Sequence, residues 1–265
     1  MKCPGGRDTC GGKLAMDVYY TGVTVKREMQ QPETVNTVRV VFILTVSGKG
    51  GKKRQSFTFI ISGKAVRQVK RLLRQIYRPH HFYYIHVDEH SNWMFTQLKS
   101  LESLPNIKLA SQRFKTFWAS NTLLYLLLAC FKEILQLGWD FDYVMNISES
   151  DFLVKPLEAF EAHLRTRVGR NFVATSGKEM LRFQEGQGMK KMFYNCDDRM
   201  YRVGDRSLPF GLQWVGGSDW VVLHRDFAHY LVTSDDALVR GLTNFYFYSI
   251  MAPESFFHTA LFNSR

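Results

Sequence analysis

Only four cysteines and seven prolines occur in the 265 residues, which excludes both a disulfide-framework miniprotein and a proline-rich linker architecture. Long apolar runs are missing as well. The two longest, Val38 to Val46 and Leu123 to Phe131, hold about nine residues each, far below the ~20 that a bilayer span requires. There is no zinc-finger spacing, no RNP-like aromatic strand and no basic helix without a core-facing stripe, so nucleic-acid binding finds no support in the sequence. Negative charge is the scarcer sign. With 24 acidic against 35 basic residues the chain carries a net +11, which suits an anionic small partner or simply a basic, soluble surface.

What is present is a globular composition, 45% apolar and 14% aromatic, enough for one large core. Residues 1–36 form a polar, glycine-containing lead-in that holds Cys3 and Cys10, and one domain is expected over 37–265. The β-branched run Val38 to Val46 predicts a buried strand. An amphipathic helix follows over Ala65 to Tyr77, with Val66, Val69, Leu73 and Ile76 on its apolar face and Arg67, Arg71 and Arg74 on a solvated one. Further strands are expected at Phe82 to Val87, Ile107 to Ala110, Tyr143 to Ile147 and Asn171 to Ala174. Helices are expected near Trp93 to Ser103, Thr122 to Leu137 and Leu157 to Arg167, with Cys130 a buried thiol in the second. This alternation predicts an α/β fold with a doubly wound, mainly parallel sheet flanked by helices. Between the first strand and its helix, Ser47-Gly48-Lys49 recurs as Ser62-Gly63-Lys64, and residues 47–61 read as an insert in a connection that usually takes about 2–6 residues. Its Gly-Lys run lacks the Gly-Lys-Ser/Thr ending of a phosphate loop.

In open parallel sheets, ligands bind beyond the carboxyl ends of the strands. That rule selects Asp88 after the second strand, and Ser148 with Asp151 after the fourth. Asp140-Phe141-Asp142 precedes its strand, so it lies at the wrong end of the sheet for a metal-holding acid pair. Asp197-Asp198 and Asp235-Asp236 carry no ligand spacing beyond the pair itself, and His86 reads as core. Near the end of the chain, Gly216-Gly217-Ser218-Asp219-Trp220 reads as a glycine-rich turn bearing an acid and an indole. Pro253-Glu254 then opens a helix. Proline at the first helical position puts Glu254 in the first turn, where the helix dipole favours its ionised form, as a carboxylate base requires.

Six segments in this order carry a resemblance: Ala65-Val66-Arg67-Gln68, His81 to Asp88, Asn146-Ile147-Ser148 with Asp151, Cys196-Asp197 with Met200, Gly216 to Trp220, and Pro253 to His258. Over about Val38 to Ser264 the chain resembles the peptide O-xylosyltransferases, of the family that also holds the core-2 and I-branching N-acetylglucosaminyltransferases. The resemblance implies a GT-A-like domain that moves xylose from UDP-xylose to serine hydroxyls of proteoglycan core proteins, with inversion, so initiating glycosaminoglycan chains. It implies Glu254 as the base, Asp88, Arg113 and Trp118 on the donor side, and Asp219 with Trp220 lining the sugar and acceptor side. No metal or cofactor is expected. The implied partners are UDP-xylose and a Ser-Gly acceptor protein, and the implied setting is the Golgi lumen, with an N-terminal anchor and stem outside this sequence. A branching β-1,6-N-acetylglucosaminyltransferase and an inactive binding relative are the alternatives.

Departures from the pattern are local. Val215 stands where the family has an acid, Trp118-Ala119-Ser120 replaces Trp-Gly-Gly, Gln112 replaces a tryptophan beside Arg113, His90 replaces a basic residue, and Leu153 replaces a proline. The resemblance also implies an Arg-Lys pair that neutralises the diphosphate beyond the Glu254 helix. This sequence stops at Arg265, before that pair, and as written is expected to be weakly active or inactive.

Overall fold

A computed structural model of the chain describes residues 37–46, 64–196 and 199–264. The lead-in, the 47–61 insert, Cys3, Cys10 and Asp197-Asp198 lie outside the described residues. The elements in chain order are β1 (Val40–Val46), α1 (Lys64–Ile76), β2 (Phe82–Val87), α2 (Asn92–Lys99), β3 (Ile107–Leu109), α3 (Thr122–Gln136), β4 (Tyr143–Ser148), α4 (Leu157–Arg165), β5 (Phe172–Thr175), α5 (Met180–Gly186), β6 (Lys191–Cys196), β7 (Arg199–Asp205), β8 (Gly217–His224), α6 (Arg225–Thr233), α7 (Ala237–Phe247) and α8 (Pro253–Asn263).

Six strands make the central sheet in the order β3-β2-β1-β4-β8-β5, while β6 and β7 form a separate hairpin. The first four strands are parallel, with Val41 beside Phe82 and Thr45 beside Ser148 in register. β1 is central and covered on both faces, which is why it reads as an unbroken apolar run. Its alternate residues divide two cores. Val41 and Ile43 pack with α3, α6 and α8, whereas Phe42 and Leu44 pack with α1, α2 and α4.

The sheet is mainly parallel, as expected, with one reversed strand, because β8 runs antiparallel to both β4 and β5. One expectation needs correction. The stretch read as a glycine-rich turn is, from Gly217 onward, the start of that reversed strand. Its glycines serve close approach. A Cβ on Gly217 would lie 2.0 Å from the Ala174 carbonyl oxygen, and one on Gly216 would lie 2.2 Å from the Phe183 ring and 2.8 Å from the Glu254 carbonyl oxygen. The reversal has a functional effect: the beginning of β8, rather than its end, reaches the rim where β1, β2 and β4 finish.

Candidate active site

At that rim, α8 opens with Pro253 in its first turn, and Glu254 follows as the one acid there. Every other residue from Pro253 to Leu261 is buried, whereas Glu254 is half-buried, so the helix is anchored all round and offers a single polar group. Gln187, just beyond α5, donates from Nε2 to Glu254 Oε2 at 2.6 Å. Burial raises the Glu254 pKa above the ordinary carboxylate value, and the neighbouring Asp219 raises it further, against the lowering effect of Gln187. Against the expectation that the helix terminus favours the ionised form, burial and Asp219 shift the carboxyl upward from its ordinary value. A carboxylate with a raised pKa is a stronger proton acceptor, which suits a general base.

Asp219 sits where β8 loses its register with β5. Val173 pairs with Val221 and Thr175 with Gly217, so two steps along β5 face four along β8, and Ser218 to Trp220 bulge out. Burial raises the Asp219 pKa too, with a further contribution from Asp151. Trp220 departs in another direction. Together with Ser218 and Asp151 it borders a cavity of about 430 Å³ walled by Phe42, Phe160 and Phe172 on the α1/α4 side of the sheet, and Asp219 is not among its walls. Asp219 thus neighbours Glu254, while Trp220 borders the cavity.

Asp88, which the resemblance placed on the donor side, is buried and its carboxylate is fully engaged. Oδ1 accepts from the His90 amide and pairs with His90 Nδ1, both at 2.9 Å, while Oδ2 accepts from the Thr116 amide at 2.8 Å and the Thr116 hydroxyl at 2.7 Å. Four bonds use the acceptor capacity of a carboxylate. Asp88 therefore organises the loop around it. Arg113 is occupied likewise: it donates to the carbonyls of Val87, Asp88 and Glu89 and to Asn92 Oδ1, and it stacks 4.7 Å from the Phe95 ring. Trp118 is the accessible member of this side, 82% exposed. The residue after it, Ala119, has φ +65°, in the left-handed region that glycine adopts without strain.

Several other ionisable groups lie at the opposite edge of the sheet. Asp140 pairs with Arg39, and Asp142 accepts from the Arg39 amide, both at the opposite edge, as their place before β4 required. His80, His81 and Glu161 cluster at that edge closely enough to suggest a metal. However, His81 Nδ1 accepts from the Val40 amide at 3.2 Å while Nε2 lies 2.9 Å from Glu161. Those two bonds fix a neutral ring protonated on Nε2, with no lone pair for an ion. Sequence reasoning gave no role to Gln187 or to the side chain of Asn146. A lone amide inside the apolar run Tyr-Val-Met-Asn-Ile was the available signal, because a buried amide demands partners.

The Core-2/I-Branching enzyme family matches residues 56–265 of this chain. The chain belongs to that family. It is 42% identical over 272 residues to Xylosyltransferase oxt of Drosophila melanogaster, covering all of this chain and 29% of that protein. It is 36% identical over 278 residues to Xylosyltransferase sqv-6 of Caenorhabditis elegans, covering all of this chain and 32% of the relative, and 38% identical over 217 residues to mouse Xylosyltransferase 2, covering 81% and 25%. The chain thus spans a third or less of the length of these relatives. A 4-diphosphocytidyl-2C-methyl-D-erythritol synthase from Anaerococcus prevotii superposes with TM-score 0.37 and 11% identity over 75% of this chain and 77% of that one, too loosely to bear on the family assignment.

Proposed function

We propose that this domain is the donor-handling and base-bearing part of a peptide O-xylosyltransferase, moving xylose from UDP-xylose to a serine hydroxyl of a proteoglycan core protein. The observation that carries this is a half-buried Glu254 with a raised pKa, held by Gln187 and backed by Asp219, in a chain 36–42% identical to xylosyltransferases. In the step itself, Glu254 takes the proton of the serine hydroxyl as that oxygen forms a bond to the anomeric carbon. The bond from that carbon to the diphosphate breaks on the opposite face, UDP leaves with the electron pair, and the configuration inverts. No metal ion or cofactor enters this scheme. In this reading Trp118, exposed beside the loop that Asp88 and Arg113 shape, covers the donor, and the expected setting is the Golgi lumen. No helix of the described residues is long and apolar enough to cross a membrane.

The test is xylose transfer from UDP-xylose to a Ser-Gly peptide, by this chain and by a version extended past Arg265, each beside Glu254→Gln. Transfer that disappears in Glu254→Gln supports the reading. Preference for UDP-N-acetylglucosamine would instead assign a branching enzyme, and UDP binding without transfer by either length would assign a non-catalytic relative.

A further inference from the structure

Asn146 lies in the middle of β4 and is only 6% exposed. Up to Met145, β4 pairs with β8 through the backbone, with Met145 opposite Val222. At the next residue the ladder stops and the Asn146 side chain continues it. Nδ2 donates to the Asp219 carbonyl at 2.9 Å, and Oδ1 accepts from the Val221 amide at 2.9 Å. The two bonds have opposite polarity, so they also fix which way round the amide sits. The groups it holds flank Trp220 on either side. On the other edge of β8, β5 offers no register partner to Ser218, Asp219 or Trp220. The bulge is therefore free on the β5 side and pinned on the β4 side by one primary amide.

We propose that Asn146 is a positioning residue: it stands in for the missing ladder and fixes where the Asp219 carboxylate faces Glu254 and where Trp220 borders the cavity. Its kinetic consequence rests on Glu254 being the base, whereas its structural consequence does not. Leucine has nearly the same size but neither hydrogen-bonding function, so it would leave the Asp219 carbonyl and the Val221 amide unmet. The bulge would then relax towards water. Misplacement of about 1 Å at a reacting centre typically lowers turnover by about 10²-fold.

The experiment compares wild type with Asn146→Leu, and with Asn146→Ser where the leucine variant does not fold, since serine leaves room for water. Three readouts are taken: hydrogen exchange at the Val221 and Leu223 amides, titration of the Glu254 carboxyl by carbon NMR, and kcat and KM for the donor. The proposal expects Val221 exchange to rise at least tenfold while Leu223, still within the ladder region, stays protected. It expects the Glu254 titration to move down towards an ordinary carboxylate as Asp219 retreats, and kcat to fall about 10²-fold with donor KM within about threefold of wild type. Equal acceleration at both amides, or an unmoved Glu254 titration, would overturn it. If wild type shows no transfer, the proposed function fails, yet exchange and titration still decide the role of Asn146.

Discussion

The Met251 amide donates to the Ala119 carbonyl at 3.0 Å, and both residues have left-handed backbones, at φ +49° and +65°. This bond ties the loop carrying Trp118 to the segment that starts the Glu254 helix, because the Glu254 amide in turn donates to the Met251 carbonyl. Two non-glycine residues in that region store strain between the Trp118 loop and the Glu254 helix.

Replacing Ala119 by glycine removes the steric cost at φ +65°, about 1–2 kcal/mol, but restores some unfolded-chain entropy, about 0.4–1 kcal/mol. Ala119→Gly is expected to stabilise the domain by about 0.5–1 kcal/mol, a rise in Tm of about 1–4 °C. A scanning calorimetry trace with no rise would mean that the loop relaxes its own strain.

Glu254→Gln is expected to lower transfer by about 10²–10⁴-fold with donor binding retained. Its effect on stability has the opposite sign. The folded-state pKa of Glu254 is raised, so the folded protein holds that proton more tightly than the unfolded chain, and stability falls as pH rises from the ordinary value of 4.5 through the folded pKa. Urea unfolding should find Glu254→Gln more stable than wild type at pH 7. That advantage should vanish below pH 4.5. A variant less stable than wild type at neutral pH would contradict the raised pKa.

Acid should weaken the fold through three buried histidines. Burial pushes His81, His86 and His258 down to about 4. Two of them use a ring nitrogen as an acceptor, His81 from the Val40 amide and His86 from the Phe114 amide, which protonation would forbid. Between pH 6.5 and 4 the unfolded chain binds protons that the folded one refuses, so stability present above 6.5 is lost as pH falls through that window. Unfolding free energy measured against pH should decline there, and a flat profile would rule the argument out.

Gly217→Ala drives a Cβ into the Ala174 carbonyl region, where the atoms met are backbone and cannot swing aside. The expected cost is about 1–3 kcal/mol or more. His258 Nε2 bonds the same carbonyl at 3.0 Å, so His258→Phe should cost about 1–3 kcal/mol by leaving it unmet. Thermal unfolding of the two variants and their double mutant would show non-additive losses, since both act on Ala174. Strict additivity would separate the two contacts.

Much of the frame was legible because local pattern and burial agree. The run of β1, the period of α1 and the Pro-Glu start of α8 each report the environment the segment occupies, and the four parallel strands fall within two residues of their expected positions. The reversed strand was not legible. Paired glycines signal a turn when read locally, whereas here they admit the Ala174 and Glu254 carbonyls, contacts made far along the chain. The raised pKa of Glu254 was hidden for the same reason: Gln187 and Asp219 lie 67 and 35 positions upstream. Asp88 and Arg113 could be picked out by their place after a strand, but not their saturation by Thr116, His90 and three loop carbonyls, which depends on how that loop folds back.

Because β8 begins at the rim that bears Glu254 and ends at the other, its exit joins the acids set aside there: the Arg225 amide donates to the Asp142 carbonyl, and its guanidinium approaches Asp140. Chemistry and fastening thus occupy opposite ends of one strand. For protein engineering this amounts to a division of labour, in which the Arg39, Asp140 and Arg225 end can be reinforced or redesigned for robustness while the end that bears Asp219 is left untouched.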